Sequence, residues 1–170
     1  MKKNFIIVAA IAAISLMSCK TEMTNPLLTE SGHRYEAPAF DKITEEHYIP
    51  AFEAAIAEGK KEIAAIVENP DAPTFENTIL ALEYAGGTLN KVAGIFYNIN
   101  EANTSDRMQE IAEQISPMMT EYSLSIMLNG ELFNRVKAVY EQRESLNLDV
   151  EEAKLLAETY KSFADNGANL

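Results

Sequence analysis

Apolar side chains recur every three, four or seven residues from Thr44 to Phe163, and this spacing is what most restricts the fold. In an α-helix, residues at these intervals lie on one face, so each series predicts an amphipathic helix. No segment alternates between apolar and polar residues for long enough to predict a strand. The sequence therefore predicts an all-α fold, an antiparallel array of helices joined by short loops.

Capping residues and prolines set the bounds of the first two predicted helices. Thr44 suits the N-cap of the first helix, which must stop near Asn69 because prolines follow. Thr74 suits the N-cap of the second helix, which is predicted to run over residues 75–100. The glycines at 86–87 lie in its middle and indicate either a bend or the close approach of another helix. The apolar face of the first helix comprises Ile49, Phe52, Ile56, Ile63 and Ile66.

Three further helices are predicted. Thr104 or Ser105 can start the third, and the Asn-Gly pair at 129–130 ends it as a left-handed cap. Asp149 caps the fifth, with Glu152 in the position of a capping box. The predicted inward side chains are Met108, Ile111, Ile115 and Tyr122 in the third helix, Leu132, Phe133, Val136 and Tyr140 in the fourth, and Leu155, Tyr160 and Phe163 in the fifth.

The beginning of the sequence has the pattern of a bacterial export signal. Two lysines precede an uncharged apolar run over residues 5–17. As a helix this run would rise only about 20 Å, which is too short to cross a hydrocarbon core of about 30 Å. We therefore predict a secretory signal peptide over residues 1–18. Its exit, LMSC at residues 16–19, resembles the lipobox of bacterial lipoproteins, in which the cysteine becomes the lipidated first residue.

Cys19 is the single cysteine of the chain, so no intrachain disulfide can form. The alternative to lipidation is an incidental thiol, but the cysteine closes the apolar run at the place where a lipobox cysteine stands. Several acyl chains on Cys19 would hold the protein at a membrane, since each buried CH₂ contributes about 0.8 kcal/mol. The predicted location is the bacterial cell envelope, as an exported, membrane-anchored lipoprotein with its body in the periplasm or at the surface.

The chain after the signal divides into two parts. Residues 19–40 are polar, contain prolines and a glycine, and sustain no helical or strand period, so we predict a lipid-anchored tether that ends in an extended arm. The side chains available to pin that arm to the body are Leu27, Leu28, Tyr35 and Phe40. Residues 41–170 form the predicted helical body.

The charge of the chain restricts its partners. Acidic residues outnumber basic ones 26 to 14, and no cluster of Lys and Arg is visible that would contact phosphates, so nucleic acid is not an expected partner. Removal of the signal also removes two lysines. We therefore expect the mature body to stay away from an anionic lipid surface and to hang from its anchor.

No pattern of residues predicts a catalytic or metal site. The chain has two histidines, His33 and His47, and lacks H-E-x-x-H, whereas a catalytic zinc needs three protein ligands. His47 is interpreted as an exposed histidine at a helix cap, and His33 as a surface residue of the tether. No phosphate-binding glycine motif is present, Cys19 is assigned to the anchor, and neither histidine lies near a nucleophile-elbow motif. We therefore predict no catalytic, metal or cofactor-binding residue in this chain.

Five ordered strings, however, resemble the N-terminal region of bacterial peptidyl-dipeptidases (dipeptidyl carboxypeptidases), within the thimet oligopeptidase family of zinc metallopeptidases. The most specific string is PTFENTILALE at residues 73–83. The resemblance covers nearly all of residues 25–170. The other strings are NPLL at 25–28, FDKI and HYIPAF at 40–52, LNGELF at 128–133 and RESL at 143–146, and the stretch from Phe163 to Leu170 resembles the place where the family chain continues.

The resemblance implies an all-helical, two-lobed body around a deep channel, of which this chain would be the N-terminal part. In the family, zinc is held by the two histidines of H-E-x-x-H and a downstream glutamate, and dipeptides are released from the C-terminus of short peptides. Zinc and short peptides are thus implied for the full-length enzyme, whose zinc motif would lie beyond residue 170. This segment would wall and narrow the channel entrance.

Three interpretations follow from the resemblance, one of which, an inactive relic of the enzyme, has the same sequence features as the first. In the first, the chain is a truncated product, an incompletely predicted gene product or one piece of a split gene, and its partner is the missing C-terminal catalytic part. In the second, it is a stand-alone helical lipoprotein that binds peptide or protein without catalysis. Whether the chain is itself an enzyme stays open at this point, because it lacks the zinc motif.

Overall fold

The computed structural model describes residues 24–166, and within them it is all-α without a strand, as the apolar spacing predicted. None of the helices in this part combines the length and the apolar character that crossing a bilayer requires. The helices are α1 (Tyr48–Val67), α2 (Ala81–Tyr84), α3 (Gly87–Ala102), α4 (Asp106–Met127), α5 (Gly130–Glu141) and α6 (Val150–Asp165); a π-helical segment (Phe75–Leu80) precedes α2, and 3-10 turns lie at Arg34–Glu36, Glu45–His47 and Arg143–Ser145.

Helix α1 is shared by two hydrophobic clusters. Its first half packs with α3, α4 and the arm, and we call this cluster the arm-side core. Its second half packs with the π-helical segment, α5 and α6, and we call this cluster the far core. The arm-side core includes Leu27, Tyr48, Phe52, Leu89, Val92, Phe96, Met108, Ile111 and Ile115, and the far core includes Ile63, Ile66, Phe75, Ile79, Leu132, Phe133, Val136, Leu156 and Phe163.

The predicted continuous helix over residues 75–100 is wrong, because the chain bends between α2 and α3. Ala85 is extended and Gly86 has a φ of 78°, a left-handed conformation that favours glycine. The Gly86 N–H donates to Glu62 Oε2 at 2.7 Å, which holds the bend against α1. Of the two explanations for the glycine pair, the bend is therefore confirmed.

The predicted left-handed cap at residues 129–130 is also wrong. Asn129 has a φ of −77°, and its side chain accepts a hydrogen bond from the Leu132 N–H at 2.9 Å. Asn129 therefore caps the start of α5 instead of the end of α4. The other caps are confirmed: Thr74 and Asp149 form capping boxes, and the Ser105 side chain accepts from the backbone at the start of α4.

The arm docks on the body through Leu27, which is fully buried in the arm-side core. The neighbouring Asn25 side chain donates to the His47 carbonyl at 2.8 Å, so the arm is tied to the start of α1. The other three predicted pins are exposed: Leu28 is 39%, Phe40 57% and Tyr35 86% accessible to solvent. The prediction therefore holds for Leu27 and fails for Leu28, Tyr35 and Phe40.

Candidate functional site

A groove of about 300 Å³ lies between α1 and α4, where the two cores meet. Ile126 of α4 packs against both cores at this position. Both apolar and polar side chains line the groove, a mixture that ligand-binding pockets also have. Its apolar lining is Ile63, Ala64, Val67 and Ile126, and its polar lining is Lys60, Glu68, Tyr122, Ser125 and Asn129.

Tyr122 closes one end of the groove by close packing on α1. A Cβ added to Gly59 would overlap the Tyr122 hydroxyl, so the glycine is what lets the ring approach the helix. Burial, and to a lesser extent the nearby Glu62 carboxylate, raises the pKa of Tyr122 above its ordinary value. The hydroxyl therefore remains protonated at neutral pH.

The polar groups around the groove do not form a nucleophile with a base. The Ser125 hydroxyl donates to the Tyr122 carbonyl at 2.7 Å, so it is engaged within its own helix. No histidine lines the groove. The arrangement offers hydrogen bonds and apolar contact to a ligand, but no group that is placed to break a bond.

The two histidines have separate roles. His47 Nδ1 accepts from the Thr44 N–H at 3.0 Å and lies 3.1 Å from its hydroxyl, so His47 completes a capping box at the start of α1. It is half-buried, in a cap position as predicted but less exposed. His33 lies exposed on the arm. Within residues 24–166, no group of three or more His, Cys, Asp and Glu side chains could hold a metal ion, so the zinc that the resemblance implies does not fit the residues described.

The acidic side chains that form ion pairs do so at the surface. Six ion pairs join side chains in the described part of the chain, and every partner is at least 45% exposed. Exposed pairs of this kind contribute about 0–1 kcal/mol each. The acidic side chains of these pairs therefore lie at the solvated surface.

Sequence reasoning placed Tyr122 inward but missed the groove beside it. The available signal was Gly59, because a glycine in a helix interior often has a packing reason. Which helix needs the space cannot be read from the glycine alone. The predicted lipidation site, Cys19, lies outside the described residues and stays a prediction.

Comparison with known proteins identifies the family. No family model matches the chain. It is 45% identical over 146 residues to a dipeptidyl carboxypeptidase of Escherichia coli K12, and 44% identical over 147 residues to a dipeptidyl carboxypeptidase of Salmonella typhimurium LT2. Both matches cover 86% of this chain. It is also 27% identical over 148 residues to oligopeptidase A of Haemophilus influenzae Rd, covering 87% of this chain.

The chain belongs to the thimet oligopeptidase family. It spans about a fifth of the length of the curated relatives it matches, 21–22% in each case. The family relationship therefore applies to one helical segment of the longer relatives. The described part of that segment contains a groove and no set of metal ligands.

Proposed function

We propose that this chain is the N-terminal, channel-wall segment of an exported, lipid-anchored zinc peptidase that releases dipeptides from the C-terminus of short peptides. The observation that carries the proposal is the 45% identity to a dipeptidyl carboxypeptidase over 86% of the chain. The predicted export signal and the predicted lipidation site, Cys19, support the proposed location at a membrane.

In this proposal the chain restricts access rather than catalysing the reaction. Zinc and the residues that bind it would come from the remaining four-fifths of the family sequence, because residues 24–166 hold no suitable ligand set. The groove between α1 and α4 is the part of the wall best suited to contact a peptide, since both apolar side chains and hydrogen-bonding groups line it.

The first test is the size and activity of the native product. An antibody against residues 151–166 should precipitate, from membranes of the source organism, a polypeptide several times longer than this chain. That precipitate should release dipeptides from short peptides and lose the activity with a chelator. A product no longer than 170 residues, without such activity, would refute the peptidase proposal and favour the alternative of a non-catalytic binding lipoprotein.

The second test addresses the groove within that active product. Ser125→Trp places a large ring at the exposed rim of the groove, whereas Ser123→Trp places one on the same helix outside the groove. We expect Ser125→Trp to raise KM with little change in kcat, because a wall contact acts on the ground state and the transition state alike. Equal KM values for the two variants would exclude the groove from the substrate path.

A further inference from the structure

Exposed apolar and charged side chains surround the docked arm. We call the part that comprises Leu28, Arg34, Tyr35, Phe40 and Lys91 the arm surface; the acidic side chains Glu30, Glu36 and Asp41 are exposed beside it. Lys91 Nζ lies 3.5 Å from the Thr29 carbonyl, and Lys91 and Phe40 line one shallow groove along α3. The Arg34 guanidinium lies 4.7 Å from the centre of the Tyr35 ring. The arm therefore carries Leu28 and Phe40 beside Lys91, with the Arg34–Tyr35 pair between them in the sequence.

The backbone holds Tyr35 outward at a conformational cost. Tyr35 has a φ of 60° and Glu36 a φ of 54°, left-handed conformations that are unfavourable for residues other than glycine. Tyr35 gains almost no burial in return, since 86% of it is exposed. Strain of this kind persists where another contact offsets it.

The short distance between the arm and Cys19 restricts which contact can offset the strain at Tyr35. Only five residue steps separate Cys19 from Thr24, and fully extended chain spans at most about 3.6 Å per residue, or about 18 Å in total. The arm is fixed to the body from Asn25 onward by the buried Leu27 and by the Asn25–His47 hydrogen bond. A lipid on Cys19 would therefore keep this side of the body close to the bilayer.

The charge distribution favours the same orientation. Residues 24–43 contain two basic and three acidic residues, whereas residues 44–166 contain nine basic and twenty-two acidic residues. An anionic bilayer repels the second group strongly and the arm only weakly. Tyrosine, phenylalanine and arginine are also side chains that suit the interface between lipid and water.

We infer that the arm surface lies in the headgroup region of the membrane and orients the body there, a docking that rests on the proposed lipidation of Cys19. Because the tether is short, the body cannot turn freely about its anchor and keeps the arm surface towards the lipid. The occupant of the arm surface is thus the bilayer, rather than a second copy of the chain or another polypeptide.

The absence of tryptophan from the sequence permits a direct test. Tyr35→Trp and the control Tyr84→Trp each introduce a single indole fluorophore at an exposed tyrosine; Tyr84 is 73% exposed and lies on α2, away from the arm. The full lipidated proteins are reconstituted into vesicles of phosphatidylethanolamine and phosphatidylglycerol that contain headgroup-proximal quencher lipids. We expect the indole emission of the Tyr35→Trp variant to shift to shorter wavelength and to be quenched, and that of the Tyr84→Trp variant to do neither.

Two further measurements separate the possible failures. The mass of the N-terminal peptide from the same preparation reports whether Cys19 carries acyl chains; an unmodified Cys19 would refute the anchoring proposal itself. An acylated protein in which the Tyr35→Trp and Tyr84→Trp variants respond alike would overturn the docking inference alone. The Tyr35→Trp variant of residues 20–170 is also measured without vesicles. Short-wavelength emission from this sample would overturn the docking inference as well, because a polypeptide would then cover the arm surface.

Discussion

Replacement of Leu27 by alanine tests how firmly the arm is held. Leu27 is fully buried in the arm-side core, and its alanine variant loses three carbon atoms from that core. Transfer of these groups to water accounts for about 2.4 kcal/mol at 0.8 kcal/mol each. The unfilled cavity adds to this, so we expect a loss of about 3 kcal/mol, within the usual range for buried leucines. Leu28→Ala, at a position 39% exposed, should cost much less.

Urea unfolding of residues 20–170, followed by far-UV circular dichroism, measures the difference. With an m-value of about 2 kcal/mol/M, Leu27→Ala should lower the midpoint by about 1.5 M. If the arm detaches before the body unfolds, the loss is limited to the free energy of docking, and proteolysis between residues 29 and 41 should accelerate. Equal midpoints and equal proteolysis rates for Leu27→Ala and Leu28→Ala would refute the assignment of Leu27 as the anchor.

Three other predictions follow from the described packing and pKa shifts. Gly59→Ala should destabilise the fold by about 1–3 kcal/mol, because its Cβ would meet the Tyr122 hydroxyl, and Tyr122→Phe should restore part of the loss in a double-mutant cycle. Gly94→Ala should instead raise the melting temperature, since a Cβ added there would meet nothing within 4 Å outside its own stretch of helix, and alanine favours the helix by about 0.5–1 kcal/mol. Burial first, and nearby glutamates second, raise the pKa values of Tyr48 and Tyr122 above 10.0. Because the folded pKa values exceed the unfolded ones, this contribution to stability is present below about pH 10 and is lost as the pH rises through the folded values. When the free energy of unfolding is measured at increasing alkaline pH, Tyr122→Phe should therefore lose less stability than the unchanged protein.

The helices themselves were predictable from the sequence because two independent signals agreed. In α4, the apolar series from Met108 to Tyr122 and the cap at Ser105 both specify the same helix, and the structure buries that series. In α6, Asp149 and Glu152 form the predicted capping box. Where spacing and capping agree, local chemistry sets the element and most of its inward face. In α6, Leu156 is buried although the spacing did not select it, whereas Leu155 and Tyr160 are only partly buried.

The failures came from residues whose side chains permit more than one structure. The Asn-Gly pair at 129–130 can end one helix or begin the next, and the choice depended on the hydrogen bond to the Leu132 N–H. Apolar spacing continues across Gly86 although the helix does not, because the bend is held from outside by Glu62. Tyr35 and Phe40 looked like pins because they are aromatic, but their exposure depends on where the arm runs. Each of these outcomes is decided by contacts that apolar spacing does not encode.

The strings that carry the family resemblance consist largely of caps and buried side chains. In the string at residues 73–83, Thr74 caps the helix while Phe75 and Ile79 fill the far core. In the string at 128–133, Asn129 caps α5 above two buried residues. Such positions are restricted by packing and hydrogen bonding whether or not a reaction takes place nearby. The resemblance thus describes a helical scaffold, which is why it identifies the peptidase family although this part of the chain contains no catalytic group.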